Sequence, residues 1–455
     1  MVGLSLRRRR WALISIAGAA VVTAGAVAVG DVSWASARRG AVRGVGQRLL
    51  GLSASHWVTS WSASPQAGGS SAANGFDDQT VRNIVFTSVG GNAVRVRFTN
   101  AFGAQPLMIG AAAIGLAAGG ASVAAATNVR LTFGGQHWVL VPPGAEALSD
   151  PVAVSVPALH DLAVSLYLPS PTGPATNHGD AQQINYVAPG DRAEASSGAG
   201  FTTQTQSWYF IDSIDVMATR PDLGTVVALG DSITDGARST VNANARWPND
   251  LARRLDTRPG ETLSVADEGM SGNRVLNDSP CLGANMVARF DRERVDWAAA
   301  REVILLGGVN DIGFSELRPG PDDTTVGPEG SWPLPFSCYQ PNTAVTASEL
   351  ISGYKQIIAQ AHAAGLKVFG GTLTPFEGAV YWTPAAEAKR EAVNQWILTS
   401  GAFDGLIDFA HAVADPSDPL RINPAYDSGD HLHPNRAGYQ AMANAINLGM
   451  LIREA

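Results

Sequence analysis

Residues 225–236 read Thr-Val-Val-Ala-Leu-Gly-Asp-Ser-Ile-Thr-Asp-Gly. A short apolar run, Thr225–Leu229, enters a Gly-Asp-Ser turn directly. Such a run bounded by glycine reads as a buried strand. Glycines at 230 and 236 permit a tight strand-to-helix turn that presents the Ser232 hydroxyl. The alternation then repeats. Further apolar runs lie at Leu263–Ala266, Val303–Leu306, Lys367–Leu373 and Leu406–Phe409, and helical patterns at 247–255, 286–297, 346–363, 385–399 and 435–449. Pro434 stands near the start of the last, where its missing N–H costs nothing. Five β-then-α units predict a doubly wound parallel sheet with helices on both faces.

Upstream of Pro221 the texture is different. Thr80–Ser88, Ala93–Asn100, Asn128–Phe133, His137–Val141, Val152–Val156 and Leu162–Leu168 are short, β-branched and punctuated by Gly, Pro, Asn and Asp. They predict an antiparallel sandwich or jelly roll. The Gly/Ala stretch 110–126 reads as sheet and turn, and the join between the halves falls at roughly 192–220. The expected organisation is an export signal over 1–37, a linker over 38–55, a β-sandwich domain over 56–218 and an α/β domain over 219–455.

The first segment carries Arg7–Arg10, an apolar run from Trp11 to Gly30 and a small-residue Ala35-Ser36-Ala37 site. That order is the one of a secretory signal. The run is also long enough to span a bilayer. The expectation is therefore a secreted protein, with an uncleaved membrane anchor as the alternative. The chain has 455 residues and a net charge of −8. A nucleic-acid partner is disfavoured, since neutralising phosphates needs a basic face. Hydrophobic residues at 45% are too many for a disordered chain. Only Cys281 and Cys338 are present. Two cysteines in an exported protein suit one disulfide, the alternative being two inert buried thiols.

In doubly wound sheets ligands bind beyond the carboxyl ends of the strands. Four polar clusters follow predicted strands: Gly230-Asp231-Ser232, then Gly269-Met270-Ser271-Gly272-Asn273, then Gly308-Val309-Asn310-Asp311, and finally Asp430-His431-Leu432-His433. A serine is a poor nucleophile until a base takes its proton. His433 can be that base, and Asp430 can orient the imidazole and stabilise its cation. The Ser232 and Gly272 backbone N–H groups and the Asn310 amide suit an oxyanion hole. Taken singly, each motif reads as a turn, a helix cap or a solvated loop. Together, in order and at one sheet edge, they point to acyl transfer.

These blocks resemble the SGNH hydrolases, also called the GDSL-type lipase/esterase family. The resemblance covers residues ~222–452. It implies a flavodoxin-like three-layer fold with sheet order 2-1-3-4-5 and no cofactor. It implies Ser232 as nucleophile and first oxyanion donor, Gly272 and Asn310 as the other donors, His433 as base and Asp430 as its orienter. The whole chain is similar to secreted members with a leading β domain and to arylesterases of xylan-degradation clusters. Substrates would be small-molecule, carbohydrate or lipid esters, deacetylation of carbohydrate or aryl esters being one expectation and a lipase or phospholipase activity the alternative. No stable protein partner is implied. The stretch between Gly313 and Ala344 is an insertion relative to the family pattern. In sheet order 2-1-3 a Cys281–Cys338 bridge would tie two loops across the mouth of the site. Phe314, Trp332, Phe336 and Tyr339 would then wall the substrate site, or else cover the core.

Two other classes compete. A metal-dependent phosphoesterase would use Asp231, Asn273, His431 and His433, but Arg274 follows Asn273 where that pattern wants histidine, and no early Asp-x-His supplies the first ligands. A non-catalytic glycan-binding protein would rest on the β half alone.

Overall fold

The computed structural model describes residues 56–68, 72–294, 297–319 and 334–452. The export signal, the 38–55 linker and Trp332 lie outside the described residues. What is described falls within one compact unit, 52–455.

The β half is two stacked antiparallel sheets. The four-stranded sheet runs in the order Trp57–Ser62, Ile211–Ala218, Gly91–Thr99, Glu146–Leu148. The six-stranded sheet runs Thr203–Thr205, Asn185–Pro189, Gln79–Phe86, Asp161–Leu168, Ala111–Leu116, Val129–Arg130. Alternation writes the first sheet: Val94, Val96 and Phe98 point into the sandwich and are fully buried, while Arg95 and Arg97 between them are partly exposed. That is the period of two expected of a strand with one face on a core.

Three expectations change here. Val152–Val156 forms no strand and touches the sheet through isolated bridges from Val152 to Val94 and from Val156 to Gly91. These bridges continue the edge on which Glu146–Leu148 pairs with Arg97–Thr99. Asn128–Phe133 shortens to a two-residue strand. The stretch expected to join the halves contains Ile211–Ala218, which pairs with strands on both sides. Its Ile211, Ile214 and Val216 are buried, and residues 219–221 alone separate it from the next sheet.

The α/β half has five parallel strands: Asp222–Gly230, Thr262–Gly269, Ala300–Leu306, Lys367–Gly371 and Gly405–Ile407. In chain order they are arranged 2-1-3-4-5. The central strands are near-continuous apolar runs, as burial on both faces demands. Trp247–Asp256 packs against Arg436–Ala445, and Met286–Glu293 and Pro384–Thr399 each pack against Ala347–Ala363. The sandwich and the α/β half keep separate apolar cores. Polar bonds join them: the backbone N–H of Val265, on the edge strand of the parallel sheet, donates to Ser88 Oγ at 3.0 Å, and that of Thr59 donates to Thr225 Oγ1 at 3.2 Å.

Candidate active site

Ser232 is the first residue of a one-turn helix, Ser232–Asp235, at the carboxyl end of the first parallel strand. Asp231 caps that helix, its carboxylate accepting from the Ile233 N–H at 3.0 Å. Burial pushes the Asp231 carboxyl up to about 7. The helix ends at Gly236, whose φ is 84°, and a Cβ there would lie 2.2 Å from Arg246 Cγ. The sharp turn therefore requires glycine.

His433 arrives from the opposite end of the chain, 201 residues away, and its Nε2 lies 2.8 Å from Ser232 Oγ. The other ring nitrogen, Nδ1, donates to Asp430 Oδ2 at 2.8 Å. That bond places the proton on Nδ1 and leaves Nε2 to accept from the serine hydroxyl. Asp430 Oδ1 accepts from the backbone N–H of His433 at 2.8 Å and of Leu432 at 3.1 Å, and from Ser428 Oγ at 3.1 Å. Burial opposes its charge, but these bonds and the imidazole hold the carboxyl well below the usual range. Arg238 Nε lies 3.5 Å from Asp430 Oδ2. Ser232 and His433 are 6% and 7% exposed. His431 does not join them. It bonds Asp427 Oδ2 through Nδ1 at 2.6 Å and is half exposed.

Asn310 is the second residue of the short helix Val309–Gly313 that follows the third strand. Its Nδ2 donates to the Asn273 carbonyl at 3.0 Å, and its Oδ1 accepts from the Tyr381 hydroxyl at 3.3 Å. Both ends of the amide are fixed, so the flip is assigned by chemistry. Burial raises the Tyr381 phenol well above its ordinary value, which keeps it a donor. Gly272 has φ 75°, and a Cβ there would lie 2.5 Å from Leu282 Cδ1. Asp311, the next residue after Asn310, accepts from the N–H groups of Val275 and Leu276 at 2.7 and 2.9 Å. Burial lifts its carboxyl to about 6.

Cys281 and Cys338 form a disulfide, with Cα atoms 4.9 Å apart. Phe314 and Tyr339 do not wall a substrate site. Each is 1% exposed, and their ring centroids are 5.0 Å apart within the α/β core. Phe314 packs on Tyr381 at 6.3 Å, so these rings prop the phenol that holds Asn310. Large apolar rings are stabilised by leaving water, and here the core absorbed them. Phe336 is partly buried against the same core.

Sequence reading passed over four residues. Asp235, Ser271, Tyr381 and the buried Arg289 each bond a block named above. Arg289 donates to the Gly230 carbonyl at 3.0 Å, the Glu268 carbonyl at 2.8 Å and Asn273 Oδ1 at 3.0 Å. Asp235 and Ser271 stand inside the quoted motifs, without a role given to either. Tyr381 and Arg289 carry no local signal.

Residues 228–441 match the GDSL-like Lipase/Acylhydrolase family. The α/β half of the chain is of that family. It is accordingly that of an ester hydrolase. No curated protein matches the chain. Solved structures that match part of the chain include a member of the lipolytic protein G-D-S-L family from Veillonella parvula (18% identical, covering 49% of this chain and 94% of that one, TM-score 0.34). Others are an acetyl xylan esterase (16%, 50% and 100%, TM-score 0.35) and a carbohydrate acetylesterase family member from Sinorhizobium meliloti (15%, 49% and 94%, TM-score 0.35). Among the described residues no group of three or more His, Cys, Asp or Glu is placed to hold a metal ion, and no helix is long and apolar enough to cross a membrane.

Proposed function

We propose that the chain is an exported serine esterase that cleaves carboxylic esters through an acyl-enzyme. The observation that supports this reading is the unbroken chain from Ser232 Oγ through both nitrogens of His433 to Asp430, with two links of 2.8 Å. His433 Nε2 takes the Ser232 proton as Oγ bonds to the ester carbonyl carbon. The carbonyl oxygen becomes an oxyanion, met by the Ser232 and Gly272 N–H groups and by the second N–H of the Asn310 amide. Collapse breaks the bond to the alkoxy oxygen, which leaves as the alcohol with the proton from His433. Water then attacks the acyl-Ser232 carbonyl carbon, gives its proton to Nε2 and releases the acid and free serine. Asp430 stays ionised throughout and stabilises the imidazolium.

Short acyl groups, acetate first, are the acyl part of this reading, since Ser232 and His433 are themselves almost wholly buried and a long chain needs an open apolar groove. Aryl and carbohydrate alcohols are the leaving groups proposed, with glycerolipid esters as the alternative. The domain reading is an export signal over 1–37, a linker over 38–55, a sandwich over 56–218 and a hydrolase domain over 219–455. Two separate apolar cores support the last division. Ser232→Ala should abolish hydrolysis of p-nitrophenyl acetate and labelling by a fluorophosphonate while the protein stays folded. Activity within tenfold of wild type in that variant would overturn the mechanism. Faster turnover of long-chain glycerol esters than of acetylated xylan and aryl acetates would select the lipase alternative.

A further inference from the structure

His178 belongs to the β half, on a two-residue strand, Asn177–His178, yet it is buried against the nucleophile turn. Its Nδ1 lies 2.9 Å from the Ser64 carbonyl oxygen and its Nε2 lies 3.0 Å from Asp235 Oδ1. A carbonyl and a carboxylate are both acceptors, so each ring nitrogen must donate and the imidazole is a cation. Asp235 is the last residue of the helix that Ser232 opens. Its other oxygen, Oδ2, accepts from the Ser271 N–H at 2.9 Å and the Ser271 hydroxyl at 2.8 Å. Ser271 immediately precedes Gly272. The Ser271 hydroxyl also lies 3.0 Å from Asp180 Oδ2, again from the β half. One hydroxyl hydrogen serves one acceptor, so Asp180 brings its own proton. Burial beside Asp235 raises the Asp180 carboxyl, in keeping with that role.

The same contact is braced from both sides. Arg246 donates through Nε to the Asp235 carbonyl and through its terminal nitrogen to the Ala181 carbonyl. Ser64, whose carbonyl receives His178, donates its hydroxyl to Glu268 Oε2 at 2.7 Å and accepts from Arg289 at 2.6 Å. Arg289 holds the Gly230 carbonyl, two residues before Ser232.

We infer that the sandwich completes the hydrolase site: His178 is a positioning residue that locks Asp235, and through Asp235 sets the Ser271–Gly272 turn against the nucleophile. This rests on the serine reading above and assigns the β half a role in that same reaction. The groups facing His178 are Asp235, Asp180, Arg246 and, paired with Arg246 at 3.8 Å, Asp267. Burial alone would lower the His178 pKa, but the Asp235 charge and the two bonds lift it to about 9. Loss of the proton leaves one nitrogen without a hydrogen to donate, and the lock loosens.

The test is His178→Gln in the full-length protein, assayed with p-nitrophenyl acetate and with fluorophosphonate labelling of Ser232. A displaced catalytic turn should lower kcat by about tenfold or more with KM within about twofold, since misplacements of an ångström cost up to about 10². Wild-type kcat should fall as pH rises through about 9, and His178→Gln should lack that limb. A melting temperature that drops while kcat and the alkaline limb stay as in wild type would overturn the inference and leave His178 a mere interface residue. Should His178→Gln not fold, Ser271→Ala cuts the same chain from the other end and should also lower kcat; unchanged kcat there overturns it equally. Wild-type protein that is not labelled at Ser232 would sink the serine reading first, and this one with it. Labelled wild type with unaffected variants sinks only the positioning role.

Discussion

Asn310 is useful as an oxyanion donor only if its amide is aimed before substrate arrives, because a donor that must reorganise loses much of its electrostatic value. Tyr381 and the Asn273 carbonyl do the aiming. Asn310→Ala should therefore cost about 10²–10³ in kcat with KM nearly unchanged. A rise in KM alone would make Asn310 a substrate-binding residue instead. Tyr381→Phe keeps the ring that packs on Phe314 and Phe376 but removes the O–H. Removing one neutral hydrogen bond is worth about 1 kcal/mol, so steady-state kinetics should show a several-fold loss of kcat. Asn310 was legible from its place after a predicted strand. Tyr381 was not, because its partner lies 71 residues upstream and nothing near Tyr381 marks it.

Two loops leaving flanking strands are tied beside the site. The disulfide joins Cys281 to Cys338. Arg274, two residues after Gly272, adds bonds to the carbonyls of Gln340 and Pro341 at 2.8 and 2.6 Å. Closing a loop with sequence separation 57 stabilises by roughly 4 kcal/mol on the chain-entropy account. Replacing both cysteines by serine should lower the denaturation free energy by up to that amount, read from urea unfolding. A difference under about 1 kcal/mol would mean that Arg274 and the Phe314–Tyr339 packing hold the loop without the bridge. Peptide mapping without reductant should recover the two cysteines in one fragment. Helix starts are legible at this scale, while Met286–Glu293 and Arg436–Ala445 end short of the patterns at 286–297 and 435–449. Trp247–Asp256, Ala347–Ala363 and Pro384–Thr399 fall within a residue or two of their sequence patterns, because caps such as Thr346 and Thr383 are local. The strand at Ile211–Ala218 was passed over because it lies among polar, turn-rich neighbours and takes its identity from two distant partners.

For the whole molecule, charge burial sets the pH response. Burial pushes the carboxyls of Asp222, Asp231, Asp267, Glu268 and Glu302 up to about 7. Unfolded carboxylates titrate near ~4. The folded chain therefore holds more protons between ~4 and about 7, and stability is lost as pH rises through that window. His178 acts in the same direction at higher pH. Its folded value of about 9 exceeds the unfolded ~6.5, so its contribution is complete below ~6.5 and lost as pH rises through 9. Asp430 opposes at the acid end, since its depressed carboxyl contributes stability that is lost as pH falls below ~4. The melting temperature should thus be higher near pH 5.5 than near pH 8.5. Glu302 is the cleanest probe: both its carboxylate oxygens are buried without a hydrogen-bond partner among the described residues. Glu302→Gln should raise the melting temperature at pH 8.5 and change it little at pH 5. An equal effect at both values would refute a titrating Glu302.

The clustered motifs and the parallel sheet with its helices are written in local pattern. Strand ends, glycines with positive φ and caps depend on near neighbours, so a one-dimensional reading recovers them. The pairing of Ser232 with His433 was also legible, because acyl transfer demands a base and the motif order supplied one. The tertiary structure alone decided which aromatics entered the core, how the sandwich strands pair, and that His178 from the β half clasps Asp235. Those outcomes depend on which distant surfaces meet and exclude water. A buried imidazole between two acceptors becomes a cation only after the two halves have docked.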